Sequence, residues 1–284
     1  MSVTLAQTLA HPCADHAALN AARVDGVGLC TIVGIEGGFS RRLGAQMAVL
    51  PSGETVGSLS DGCLERQLAS DLAQCDGPRV VRYGRGSSKI DFRLPCGGGI
   101  DVLIDPTPDR AGVRAAIEAL AARRAACLDL PAPSPLRRRR FLPALRLRVF
   151  GEGPEIDAVE RIAQAAGVDA QVVAKSALSL GHASKLPPVD AWTAVLLLFH
   201  DHEWEAPLIE EALSGDALYV GAQGGENARL ARVAELMRRG MDESEIARLR
   251  SPVGAVPGCK TPQALALSAM AEIVGLYDAL HDRD

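Results

Sequence analysis

Apolar positions in the first part of the chain fall into short runs separated by turn residues. Within residues 24–35 the segment LCTIVGI is apolar and β-branched and ends in the loop EGGFSRRLG, which predicts a strand. QMAVL runs into Pro51-Ser52-Gly53, a turn signal, and ETVGSL returns as the second arm of a hairpin. Leu64, Leu68 and Leu72 recur at helical spacing, so a helix is expected from about Leu64 to Gln74, with Asp61 placed to cap it. A strand at RVVRYG follows, then a polar loop through Lys89. The Gly-rich turn in LPCGGGIDVLIDP then leads into a buried strand. An Ala-rich helix from about Asp109 to Cys127 closes this half.

The later part alternates strand and helix. LRLRVF leads through GEGPE into a helix ending near Ala166, and AQVVA is the next strand. AVLLLF ends in HDHEWE before a helix from about Ala206 to Leu213, and ALYVG ends in AQGGEN before a helix to about Arg239. The last helix opens at Thr261-Pro262, an N-cap followed by proline, and carries Ala266, Met270, Ile273, Val274, Tyr277 and Leu280 on one face. This alternation predicts a doubly wound parallel sheet. Residues 131–144, PAPSPLRRRRFLPA, combine four prolines with four consecutive arginines, the composition of a linker. The expected organisation is α/β: an N-terminal mixed α/β domain over 1–130, the linker over 131–144, and a Rossmann-like doubly wound parallel-sheet domain over 145–284.

A length of 284 residues suits two domains of roughly 150. Hydrophobic residues at 48% and charged residues at 23% allow a buried core and exclude wholesale disorder. Thirty Lys and Arg against 35 Asp and Glu leave a net charge of −5, so nothing general favours nucleic acid. Aromatics at 4% argue against a base-stacking platform as well. The Arg run beside prolines reads as solvated spacer. Seven cysteines (13, 30, 63, 75, 96, 127 and 259) are odd in number and form no CxxC pair, which suits reduced thiols in a cytoplasmic protein. No secretory signal opens the chain. The longest apolar run, Ala194 to Phe199, falls far short of the ~20 residues a membrane span needs.

Five segments carry candidate chemistry. Gly151-Glu152-Gly153 follows a predicted strand and precedes a helix, the setting of a dinucleotide fingerprint. Ile156 stands at the third glycine, Pro154 removes a donor, and Glu152 repels pyrophosphate. The second strand ends at Lys175 with no carboxylate for a ribose. His200-Asp201-His202 ends a central strand, where open α/β sheets bind ligands. Two readings remain for it: the histidines jointly holding a metal or substrate, or Asp201 or His202 capping the next helix. Gly37-Gly38-Phe39-Ser40-Arg41-Arg42 sets two guanidiniums beside a glycine turn, suited to phosphate. Asp61-Gly62-Cys63 and Cys96-Gly97-Gly98-Gly99 each place a thiol against flexible backbone, with Cys63 near a helix N-terminus. Thiolates suit soft or high-valent metals.

Taken in order, SRRLGAQMAVLPSGETVGSLSDGCLE, PCGGGIDVLIDP, LLLFHDHEW, LYVGAQG and TPQALALSAMAEIV make the chain resemble the XdhC/CoxI family nearly end to end. These are accessory proteins of molybdenum hydroxylases such as xanthine and carbon monoxide dehydrogenases. The resemblance implies an N-terminal domain and a Rossmann-like C-terminal domain. It also implies a chaperone, not an enzyme in its own right, that binds molybdenum cofactor (molybdopterin), supports its maturation and delivers it to an apo molybdenum hydroxylase. A cysteine-desulfurase-type sulfurase and a second copy of the chain are the further partners implied, with no nucleic acid and no membrane. Carried onto this chain, the cofactor-binding residues are Ser40, Arg41, Arg42, Gly62, Cys63, Cys96, Gly97 and Gly98, with Gly151, Gly153, His200, Asp201 and His202 in the Rossmann half. Cys63 and Cys96 lie toward the metal end.

The chain departs from the family pattern at several points. The usual Gly-Ser-Thr-Pro-Arg reads Gly37-Gly38-Phe39-Ser40-Arg41, and the glycine pair before Cys63 reads Asp61-Gly62. The usual Gly-x-Gly-His reads Gly151-Glu152-Gly153-Pro154, a Gly-Ser-Arg-Arg loop reads Gly224-Gly225-Glu226-Asn227, and a Gly-Leu-Asp-Ile segment reads Gly254-Ala255-Val256-Pro257. Three of these are expected on one face of the Rossmann half, altering any nucleotide site there. The competing readings are an NAD(P)-dependent oxidoreductase on the same sheet, against which the degraded fingerprint speaks, and a cofactor-free docking protein for a sulfurase and a hydroxylase.

Overall fold

The computed structural model describes residues 14–60, 62–87 and 97–281, and the chain divides into two compact units at Pro143/Ala144. The first comprises α1 (Ala14–Ala21), β1 (Gly28–Glu36), β2 (Gln46–Val49), β3 (Thr55–Gly57), α2 (Cys63–Ala73), β4 (Arg79–Gly84), β5 (Gly99–Asp105), α3 (Arg110–Ala121), β6 (Ala126–Asp129) and β7 (Arg138–Phe141). Its main sheet runs β3-β2-β1-β5-β4 with every pair antiparallel. The period-2 rule sorts its side chains to two cores. Cys30, Ile32 and Met47 join Leu64 and Leu68 of α2, while Leu29 and Ala48 join Leu19 of α1, Val113 of α3 and Phe141 of β7. Tyr83 of β4 ties α2 down by donating its hydroxyl to Asp71 Oδ2 at 2.5 Å, and burial together with that bond raises the phenol's pKa.

Two expectations need correcting here. The helix expected to reach Cys127 stops at Ala121; Arg123 takes a left-handed conformation at φ 57°, and Cys127 lies in β6. The Pro/Arg stretch is not a spacer. β7 pairs antiparallel with β6, Asp129 opposite Arg138 and Ala126 opposite Phe141. Arg139 and Asp15 form an ion pair at 2.8 Å, each side chain only 8% exposed. Asp15 also accepts from the Gln46 backbone at 3.0 Å, so one carboxylate joins α1, β2 and β7.

The second unit comprises β8 (Arg146–Gly151), α4 (Pro154–Ala165), β9 (Asp169–Ala174), β10 (Thr193–Leu198), α5 (Glu205–Leu213), β11 (Tyr219–Ala222), α6 (Glu226–Arg238), α7 (Glu243–Ile246), β12 (Leu249–Arg250) and α8 (Pro262–Asp278). The sheet order β12-β11-β10-β8-β9 is parallel throughout. Leu147, Val149, Leu196 and Leu198 pack against α4 and α8 on one face, and Phe150, Val195, Leu197 and Phe199 against α5 and α6 on the other. This is a doubly wound Rossmann-like layer. Strand order reverses between β8 and β10, which puts the crevice beyond the ends of those two strands. Thr261 caps α8 as expected, accepting from Ala264 N at 3.2 Å with Pro262 next.

Candidate functional site

In the first unit the candidate residues converge on the N-terminal end of α2. Its third residue, Glu65, is almost fully buried, and its carboxylate gathers the preceding loop. Oε1 accepts from Leu59 N at 2.9 Å, Ser60 N at 2.6 Å and Ser58 Oγ at 3.1 Å, and Oε2 from Gly62 N at 2.7 Å. Burial pushes the Glu65 pKa up, but the backbone donors outweigh it and the net shift is downward. Arg41 donates from Nε to the Ser58 carbonyl at 3.3 Å and from Nη1 to the Ser40 carbonyl at 3.4 Å. Its Nη2 has no partner among the described residues. Cys63, the first residue of α2, is exposed, and Arg66 Nη2 lies 3.4 Å from its sulfur. A cleft of about 640 Å³ runs alongside, lined by Gly57, Ser58, Ser60, Gly62, Glu65 and Arg66.

The structure therefore brings Ser40, Arg41, Gly62 and Cys63 onto one hydrogen-bonded assembly. Arg42 sits half-buried at the end of the same loop, its carbonyl accepting from Ala45 N. The second glycine loop adjoins the first: a Cβ on Gly37 would lie 3.6 Å from the Gly98 Cα, and the Gly98 carbonyl accepts from Arg85 N. Gly97 precedes it in that loop. Cys96 and Asp61 lie outside the described residues. The place of Cys96 at the metal end and the Asp61 cap thus have no geometry to report. Glu65 was absent from the sequence-derived set, although a glutamate three residues into a helix is a known N-terminal signature.

In the second unit the candidates meet at the switch point. Gly151 is required there: a Cβ would come within 2.2 Å of the Leu198 carbonyl oxygen. Glu152 is paired: Lys175 at the end of β9 binds it at 2.9 Å and reaches Asp201 at 3.6 Å. The Glu152 hydrogen bond, with the nearby acids, raises the Lys175 pKa. Ile156, at the third glycine position, is buried in the core instead of opening the helix to a phosphate. The histidines part company. Asp201 caps a short turn by accepting from Glu203 N at 3.2 Å; His200 Nε2 faces Glu155 Oε2 at 3.6 Å; His202 Nδ1 lies 3.2 Å from Glu205 Oε1. Capping is thus the arrangement observed. No group of three His, Cys, Asp or Glu suited to a metal occurs among the described residues.

Behind His202 the buried Arg232 grips Glu205 at 2.6 and 3.2 Å, Ser251 Oγ at 2.7 Å and the Gln223 carbonyl at 2.7 Å. Nothing in the sequence pattern marked that arginine. The cleft so framed measures about 530 Å³ and is lined by His200 and His202 together with Gly224, Gly254, Val256 and Pro257. Two of the segments that depart from the family pattern, 224–227 and 254–257, thus supply its walls.

The XdhC and CoxI family matches residues 20–84, and the XdhC Rossmann domain matches residues 147–273. The chain is 33% identical to the molybdenum cofactor insertion chaperone PaoD of Escherichia coli K12, over 88% of this chain and 83% of that protein. The chain belongs to the XdhC and CoxI family. Within the same organism, YqeB is 25% identical over 84% of this chain and 41% of its own length. The fold of this family member superposes on a Bacillus halodurans crystal structure described as a xanthine dehydrogenase, with a TM-score of 0.70, 20% identity, and coverage of 94% and 96% of the two chains. No helix among its described residues is long and apolar enough to cross a membrane.

Proposed function

We propose that this chain is an accessory chaperone that binds molybdenum cofactor and supports its maturation and insertion into a molybdenum hydroxylase. The relative PaoD is named for insertion of that cofactor, and membership of the family supports the same role here. The observation that carries the reading is the Arg41–Ser58–Glu65–Gly62 assembly, which holds a guanidinium and the Cys63-bearing helix end in one hydrogen-bonded frame. The cofactor is cargo. Its phosphate suits Arg41, whose Nη2 has no partner among the described residues and can donate a charge-assisted bond. Arg42, Ser40, Gly62, Gly97 and Gly98 complete that set, with Cys63 and Cys96 toward the molybdenum end. Gly151, Gly153, His200, Asp201 and His202 are a separate candidate set within the Rossmann unit. In this reading the protein catalyses no reaction of its own, works in the cytoplasm, pairs with a second copy, and meets a sulfurase and an apo-hydroxylase in turn.

The test is to incubate purified apo-protein with released molybdenum cofactor and quantify retained molybdenum and pterin. A charge-assisted phosphate contact contributes about 1.5–3 kcal/mol, so Arg41→Ala is expected to weaken retention roughly 10- to 150-fold with the circular dichroism unchanged. His200→Ala and His202→Ala are expected to retain cofactor and to slow its transfer. Absence of retention by the unmodified protein overturns the proposal. If the two His variants abolish retention and Arg41→Ala keeps it, the site belongs to the Rossmann half alone.

A further inference from the structure

Glu155 is the second residue of α4, and its side chain is 15% exposed on the wall of the 530 Å³ cleft. Oε2 is buried and has no hydrogen-bond partner among the described residues. The His200 Nε2 that faces it stands at 3.6 Å, beyond hydrogen-bond reach. Gly153 leaves room beside this oxygen: a Cβ there would lie 3.1 Å from Glu155 Oε2 and 3.6 Å from His200 Nε2. Lys175 is held by Glu152 and Asp201, and the lysine that lines this cleft is Lys260.

A buried acceptor without a donor is unfavourable, and a ligand that brings N–H groups removes that deficit. Phosphate does not: a carboxylate repels it. The donor set that matches a carboxylate is a pair of parallel N–H groups, as in bidentate guanidinium pairing. A 2-amino-4-oxopyrimidine ring presents that pair on one edge, its exocyclic amino group beside a ring N–H. The cleft has the volume of a small-molecule pocket and lies at the switch point where such sheets take ligands.

We propose that Glu155 is the specificity-determining residue of this cleft and binds the 2-amino-4-oxopyrimidine edge that pterin and guanine rings share. The choice of pterin as the natural source rests on the cofactor-carrying function above; the ring recognition itself does not. The full-length protein and Glu155→Gln are titrated with pterin, with guanosine, and with lumazine, the same bicycle bearing an oxygen in place of the amino group. The unmodified protein is expected to bind pterin at least about tenfold more tightly than lumazine, and Glu155→Gln to weaken pterin about 10- to 100-fold. Pterin binding above guanosine assigns the cleft to the cofactor's ring, and the reverse order to a purine nucleoside. Equal affinity for pterin and lumazine overturns the proposal even if the variant fails to fold. Unchanged pterin binding by a folded Glu155→Gln, or no binding of either ring by the unmodified protein, overturns it too. A protein that binds pterin through Glu155 but retains no molybdenum from released cofactor sinks the carrier function and leaves the site standing. Retention by a Glu155→Gln variant that also binds pterin unchanged does the opposite.

Discussion

Lys175 Nζ binds Glu152 Oε1 at 2.9 Å, joining the end of β9 to the glycine turn after β8. In a dinucleotide-binding sheet these two places carry opposite duties: the turn admits pyrophosphate and the second strand ends in an acid for the ribose. Here the acid stands in the turn and the base at the strand end, and each satisfies the other. Asp201 adds a second carboxylate at 3.6 Å, so the lysine is not left as a spare cation.

NAD and NADP are therefore expected to give no binding heat in the micromolar range in titration calorimetry. Lys175→Ala is expected not to restore binding, because it exposes Glu152 without returning the third glycine that Ile156 has replaced. Saturable micromolar binding by the unmodified protein contradicts this account and revives the oxidoreductase reading.

Glu65 ties stability to pH. Its folded pKa lies below the ordinary 4.5, because backbone donors outweigh burial. A lowered folded value means stabilisation that is complete above the unfolded value and lost as pH falls through the folded one. Glu65→Ala leaves the buried Leu59 N–H and the part-buried Ser60 and Gly62 N–H groups without an acceptor and is expected to cost about 2–3 kcal/mol at neutral pH by urea unfolding. As the pH falls below about 5, the stability of Glu65→Gln is expected to fall less steeply than that of the unmodified protein. Parallel pH profiles for the two exclude this role.

The second unit is largely legible in the sequence. AVLLLF is apolar at every position because β10 is covered on both faces, and Thr261-Pro262 marks the start of α8 by its own capping chemistry. Residues 114–126 are mostly Ala, Arg, Leu and Glu, all strong helix formers, so nothing local announces the turn at Arg123. The segment 137–140 reads as solvated spacer because the partner that buries Arg139 lies 124 residues away in α1. The candidate site divides the same way. Glycine loops, Arg41 and Cys63 are visible locally, whereas Arg232 acquires its role only when α6 packs beside the residues after β10.

Arg139→Ala is expected to lower stability by about 3–5 kcal/mol, since it leaves Asp15 buried opposite no cation. The same burial makes trypsin a direct probe. Bonds after Arg138, Arg139 and Arg140 lie in a paired strand and are expected to survive digestion while the protein is folded, and to become sensitive in Arg139→Ala. Early cleavage at these bonds in the unmodified protein restores the spacer reading.

Arg232 and Glu205 form the corresponding pair under the Rossmann cleft, with side chains 3% and 1% exposed. Each is costly to leave alone. Arg232→Met strands a buried carboxylate, Glu205→Leu strands a buried guanidinium, and each change is expected to cost about 3–5 kcal/mol. The double variant removes both charges and is expected to lose much less than the sum, because a buried ion pair and an apolar pair of similar volume are often nearly equal in stability. The guanidinium also holds Ser251 and the Gln223 carbonyl, so the double variant is expected to recover stability while pterin binding in the cleft stays weakened. Urea midpoints for the four proteins, read beside pterin titrations, decide the matter. Strictly additive losses mean that Arg232 and Glu205 do not act as a pair, and full recovery of binding in the double variant means that Arg232 does not shape the cleft.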